Sequence, residues 1–265
     1  MDALTYGELR SFAAAWGLTQ PRILAMFIAV PLFARQLLPG PLRFGLAAGL
    51  GLLAAPPLIG QIAQVPQGLG LAMLVTKEAG LGFVLGFVLA LPFWAFEAVG
   101  FFIDNQRGAS IAATLNPLTG NDSSPMGQLF NQAFVVFVFV SGGFGLLLSS
   151  LYESYALWPV LHWRPAFAAD GATLWLGQLD ALVRTAIAFS APVIVAMFLA
   201  ELGLALVSRF APQLQVFFLA MPIKSGLALL VLVVYMGTLF EYAGEWMHGQ
   251  WSGAAAFLGH SLLGH

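Results

Sequence analysis

Apolar residues fall in six long runs along the chain, at 9–33, 42–62, 79–102, 129–151, 186–206 and 216–240. Each approaches the roughly 20 mostly apolar residues that cross a bilayer. None alternates strictly between apolar and polar positions, so each predicts a helix, the form that satisfies its own backbone groups in lipid. The connection 34–41 holds Pro39-Gly40-Pro41, and 207–215 holds Arg209-Phe210-Ala211-Pro212-Gln213. Tight links of this kind join neighbouring helices into hairpins. Two connections are longer. The segment 103–128 is polar and rich in Asn, Ser, Gly and Pro, whereas 152–184 opens with Tyr152, Tyr155, Trp158 and Trp163, rings that suit the headgroup level. Gly45 and Gly49 are four apart, as are Gly82 and Gly86, a spacing that lets helix backbones approach. The pattern predicts an all-α, multi-pass membrane protein of about six hydrophobic helices in hairpins, forming one domain over 1–265.

Composition makes lipid or other apolar protein the solvent for most of the chain. Sixty per cent of the 265 residues are hydrophobic and eight per cent are charged, against about 25% charged in a soluble domain. The net charge of −2 supplies no basic field for nucleic acid. With no cysteine, disulfides, thiol catalysis and Cys-based metal sites are excluded. The histidines, His162, His248, His260 and His265, are scattered, and no metal or cofactor is expected. The start, Met1-Asp2-Ala3-Leu4, lacks the basic region of a cleavable signal peptide, so insertion is expected to use the first membrane span. Alternate connections carry Arg10, Lys77, Arg164 and Arg184 on one side and Arg35, Arg43, Arg107 and Arg209 on the other. The positive-inside rule therefore assigns no orientation.

Three ionisable residues inside the runs are candidates for function: Glu97, Glu201 and Lys224. Each costs about 2.5–3.5 kcal/mol or more at a bilayer centre, so each is expected to face other helices or water. They either line a conduit, or Lys224 ties one glutamate across two helices; pairing is the usual fate of such groups. Within the polar insertion, Asp104-Asn105-Gln106-Arg107-Gly108 and Ser110 lead to Asn116, Pro117, Ser123 and Ser124. Small and amide side chains hydrogen-bond without strong charge. Such a segment suits a displaceable pore filling as well as a solvated loop. Phe101, Phe102 and Met126 flank it as candidates for an apolar seal or for plain helix packing. Enzyme motifs are missing: no HExxH, no Gly-x-Ser-x-Gly elbow and no Gly-rich phosphate loop. The chain reads as a non-enzyme. A stand-alone transporter of a small solute would use buried carboxylates and interrupted helices, and Pro92 and Pro192 are expected to interrupt the third and fifth runs.

Several stretches together resemble one family, the T subunits of type III secretion systems (SctT, including the SpaR and YscT types) and their flagellar counterpart FliR. They are Arg22, Pro31, Pro39-Gly40-Pro41-Leu42-Arg43 and Pro56; Phe96-Glu97-Ala98-Val99-Gly100 running into Asp104–Gly108, then Asn116-Pro117 and Ser123-Ser124; and Arg209 through Phe217 followed by Met221-Pro222-Ile223-Lys224. The stretch Tyr152-Glu153-Ser154-Tyr155 with Trp158-Pro159 is more similar to the virulence branch. The resemblance implies a core subunit of a helical export-gate complex in the bacterial inner membrane, within the basal body. Its implied partners are the R and S subunits (FliP- and FliQ-like), the U switch subunit (FlhB-like), the V export-ring subunit (FlhA-like) and unfolded secreted proteins in transit. The resemblance also implies a plug role for the polar segment, and a structural role for Lys224 and the turn with Arg209, Pro212 and Gln213.

Overall fold

The structure is a computed structural model, and it describes residues 6–34, 37–108, 124–163, 171–210 and 216–263. Those residues form helices and turns, with no strand among them. The helices are α1 Tyr6–Ala29, α2 Gly40–Ala54, α3 Pro56–Ile59, α4 Leu69–Arg107, α5 Pro125–Val140, α6 Gly143–Leu157, α7 Gly171–Phe210, α8 Val216–Ser252 and α9 Ala254–Leu263. Short 3-10 turns at Pro31–Phe33 and Ile62–Gln64 complete the path.

Helices and apolar runs coincide in place but not in continuity. The run 42–62 breaks after Ala54, where Pro56 and Pro57 start a new turn; a proline lacks the amide needed to continue a ladder. The run 129–151 breaks at Ser141 and Gly142, and Gly142 has φ 78°, a left-handed conformation that glycine adopts without steric cost. Pro92 and Pro192, expected to interrupt their runs, instead lie within continuous helices. A proline removes one hydrogen bond and bends a helix, but neighbouring packing can carry the helix past it. The long helices also outrun their apolar cores. With 39 residues, α4 is about 58 Å long at 1.5 Å per residue. Among the described residues, three helices suffice by length and composition to cross a membrane, α4, α7 and the Leu219–Ser252 part of α8, or four if α5 and α6 count as one bent span.

Contacts divide the chain into two compact units, with boundaries inside α4, α7 and α8. The first comprises Met1–Leu91, Gly142–Trp175 and His248–His265. Its core gathers Ala15, Leu18, Ala55, Leu58, Leu74 and Val160. Here α4 crosses α1 at Gly82 and Gly86: a β-carbon on Gly82 would strike the Arg22 backbone, and one on Gly86 would lie 2.7 Å from the Met26 carbonyl oxygen. Gly45 and Gly49 make no such approach. The second unit comprises Pro92–Ser141 and Leu176–Met247. Its core is aromatic. Phe96 stacks on Phe134 with centroids 4.5 Å apart and also meets Phe189 and Phe240 at 5.8 and 5.6 Å.

Candidate functional site

Residues 97, 100 and 104 recur at helical spacing along one face of α4, and 124, 127 and 131 do the same at the start of α5. The two faces meet at the foot of the polar insertion. Asp104 is 4% exposed. Its Oδ1 accepts from Arg107 Nε at 2.7 Å and pairs with Nη2 of the same guanidinium. Its Oδ2 accepts from Ser124 Oγ at 2.5 Å and from the Met126 amide at 3.0 Å. Ser124 is also the N-cap of α5, accepting from the Gly127 amide at 2.8 Å. The first turn of a helix leaves its amides without intrahelical partners. Pro125 at the first position has none to offer, Asp104 takes the second, and Ser124 takes the third. A carboxylate at this end also complements the helix dipole.

Two further contacts lock the same interface. Gly100 lies against the backbone of Met126 and Gly127, leaving no room for a β-carbon. Glu97 Oε2 accepts from Asn131 Nδ2 at 2.8 Å. On the other side of the foot, α4 ends at Gly108, whose φ of 82° places a glycine just past the helix end, where left-handed caps favour it. The result is a polar clasp that joins the two ends of the segment 109–123. It holds the end of α4 against the start of α5.

A second polar cluster lies in the first unit. Arg22 (1% exposed) is paired through Nε and Nη2 with the two oxygens of Glu78 (0% exposed) at 2.8 and 3.0 Å. Its other donors go to the Ser154 and Trp158 carbonyls at 2.7 and 2.9 Å. Tyr155 covers the guanidinium at 4.2 Å, and Lys77 reaches Glu78 at 2.9 Å. The buried pair is thus hydrogen-bonded throughout, the condition under which buried charges persist. It ties α1, α4 and α6 together.

With both clusters described, similarity to known proteins can be placed beside the geometry. Residues 13–249 match the family described as bacterial export proteins, family 1. The chain belongs to that family. It is 42% identical over 228 residues to the Yop proteins translocation protein T of Yersinia pestis, covering 86% of this chain and 87% of that protein. It is 31% identical to the surface presentation of antigens protein SpaR of Salmonella typhimurium, covering 87% and 86%. It is also 31% identical to the flagellar biosynthetic protein FliR of Bacillus subtilis, covering 83% and 85%. Family membership and the apolar helices make this an integral membrane protein.

In this export-family chain the clasp brings together Asp104, Arg107, Ser124 and Met126, with Gly108 beside them. Asn105 is exposed and Gln106 half-buried at the last turn of α4. Met126 is buried, while Phe101 is 47% exposed and meets Phe102 edge-on at 6.4 Å. Ser110, Asn116, Pro117 and Ser123 lie outside the described residues, as do Pro212 and Gln213. Lys224 pairs with Glu201 at 3.2 Å, and the lysine side chain is shielded while the glutamate is half exposed. Glu97 and Glu201 stand on exposed faces, Glu97 meeting Asn131 of α5 and Glu201 meeting Lys224 of α8. The apolar run around each tells that a helix is present, not which of its faces is covered. Arg209 is exposed in the last turn of α7, where a cation suits the helix dipole. The pairing of Arg22 with Glu78 is not among the sequence expectations, although a signal exists: Arg22 is a charge in the middle of the first apolar run.

Proposed function

We propose that this chain is the T-type subunit of a type III secretion export gate, forming with R- and S-type subunits the channel for unfolded secreted proteins across the inner membrane. The supporting observation is similarity along most of the chain to proteins named for translocation and flagellar biosynthesis. The whole chain, 1–265, acts as one membrane component of the basal body. It turns over no substrate chemically. The U-type switch subunit and the V-type ring subunit are its further partners, and energy enters through them.

The segment 103–128 is the plug that helps keep the channel closed. The clasp at Asp104 supports this reading. It joins α4 and α5 by hydrogen bonds at the foot of the insertion, so the cost of closing the loop is met there. Amides and hydroxyls at Asn105, Gln106, Ser110, Asn116 and Ser123 bind weakly to any passing chain, and Met126 with its apolar neighbours excludes water beside them.

A gentle-detergent pull-down of the tagged chain from native membranes, read by mass spectrometry, tests the assignment. R- and S-type subunits are expected. Recovery of a folded chain alone that drives solute uptake in liposomes would replace the subunit reading with a stand-alone transporter. Shortening 109–123 with the clasp intact is expected to preserve assembly and raise ion conductance. A complete complex with unchanged conductance would remove the plug role and leave the subunit role standing.

A further inference from the structure

Exposed faces in the second unit differ in chemistry. Along the middle of α8 the exposed positions are Leu229, Leu230, Val233 and Val234. Beside the seam between α4 and α5 they include Glu97, Asn105, Gln128 and Gln132, with Asn131 half-buried among them. Asp104 meets residues 124 and 126 while Glu97 meets Asn131, so the two helices run antiparallel there. Gly100 and Gly127 mark the seam. At 3.6 residues per turn, Phe101 and Asn105 lie about 100° and 140° around α4 from Gly100, and Gln128 and Gln132 lie at the same angles around α5 from Gly127. In antiparallel neighbours the same sense of rotation away from the seam leads to the same side. These polar side chains therefore share one face, which runs about 15 Å from Glu97 to the helix end at Arg107.

Glu97 gives that face its charge. It accepts from the neutral amide of Asn131, and among the described residues no cation pairs with it. Asp104, by contrast, is neutralised by Arg107. Lipid is a poor medium here, because carboxylates and amides set against hydrocarbon are costly. A closely packed partner helix would strip water from a carboxylate that has no cation, which is costly too. Water satisfies the carboxylate and the amides alike. The face also starts at the clasp, where both ends of the segment 109–123 emerge.

We infer that this face is a water-filled stretch of the channel wall, on which Glu97 concentrates cations, including the Lys and Arg side chains of a protein in transit. Gln128 and Gln132 can donate and accept hydrogen bonds. They match the unpaired N–H and C=O groups of any extended chain without reading its sequence. The inference rests on the export-gate reading above.

The chain has no cysteine, so a single introduced thiol reports on its own position. Gln132→Cys, with Gln128→Cys as a second position, is placed in the full tagged chain in cells that make its export partners. Sheared membranes are treated with a cationic or an anionic methanethiosulfonate of similar size. The complex is then pulled down, and modification of this chain is read by mass spectrometry. Both reagents are expected to react, the cationic one faster. Glu97→Gln keeps an oxygen for Asn131 and removes the charge. A unit charge about 7 Å away in water should shift the ratio of the two rates by about fivefold in about 0.01 M salt, and the substitution should abolish that factor. A secreted protein fused to a stably folded passenger, stalled in transit, is expected to shield both thiols. The inference is overturned if neither thiol reacts within the intact complex, or if the rate ratio is unmoved by Glu97→Gln. It is equally overturned if the stalled protein leaves both rates unchanged, which would place the face outside the conduit. Absence of R- and S-type subunits from the pull-down would refute the export-gate reading and this inference with it.

Discussion

Asp104→Ala removes a carboxylate on which Arg107, Ser124 and the Met126 amide converge. Deleting one member of a buried ion pair costs about 3–5 kcal/mol, because the remaining charge is stranded. Arg107 keeps 18% side-chain exposure, so its guanidinium can recover some water and the lower end applies. The Met126 amide loses its acceptor, a further cost of about 1–3 kcal/mol that overlaps the first, since both report one opening. A loss of about 3–4 kcal/mol raises the population of the opened clasp by roughly 10²–10³-fold. Hydrogen exchange on the purified complex reads this directly. Protection at Met126 and Gly127 is expected to fall by about two orders of magnitude, while amides in the middle of α8 keep theirs. Asp104→Asn retains an acceptor for Met126 and should lose about 1–2 kcal/mol, the charge-assisted part. Exchange in Asp104→Ala within about threefold of wild type, under 1 kcal/mol, would refute the clasp as the element that holds the foot of the loop.

Gly82→Ala and Gly86→Ala force a β-carbon onto the backbone of α1 and should each destabilise by about 1–3 kcal/mol; Gly45→Ala, which meets nothing, should be neutral or slightly stabilising, and equal melting temperatures for all three would disprove the crossing. Arg22→Met leaves Glu78 with Lys77 as its remaining cation and should cost about 3 kcal/mol, the lower end for breaking a buried pair, part of it recovered in Arg22→Met with Glu78→Gln. Folded yields that do not differ between single and double variants would count against the buried tie. Lys224→Ala should cost the isolated chain under about 1 kcal/mol, because Glu201 is half exposed, yet lower the yield of complex with R- and S-type subunits; a normal yield would show that Lys224 is no part of assembly.

Much of the clasp is legible in the order of residues alone. The polar insertion stands out between two apolar runs, and Ser124-Pro125 is a helix start that the capping preference of serine and the first-turn preference of proline both predict. Asp104 is a candidate because it lies in that polar insertion. Its partners are not legible, since the Met126 amide acts only when α5 lies against α4, and that depends on Gly100 having no side chain. For Glu97 and Glu201 the sequence leaves open whether another helix or water is faced. Hydrophobic neighbours along the chain suggest burial, but an apolar all-round helix does not say which face another helix covers. The two kinds of interruption illustrate the same divide: Pro56-Pro57 ends a helix, whereas Pro92 and Pro192 are carried through.

By itself the sequence determined the solvent, the helical class and the place of the polar insertion, because these follow from composition and local period along a single stretch of chain. The tertiary structure alone decided which charges meet. Arg22 and Glu78 are 56 positions apart, and Asp104 reaches across 20 positions to Ser124. Such pairs form where two helices cross, and a crossing is set by how closely their backbones can approach, as at Gly82, Gly86 and Gly100, a property of two segments together.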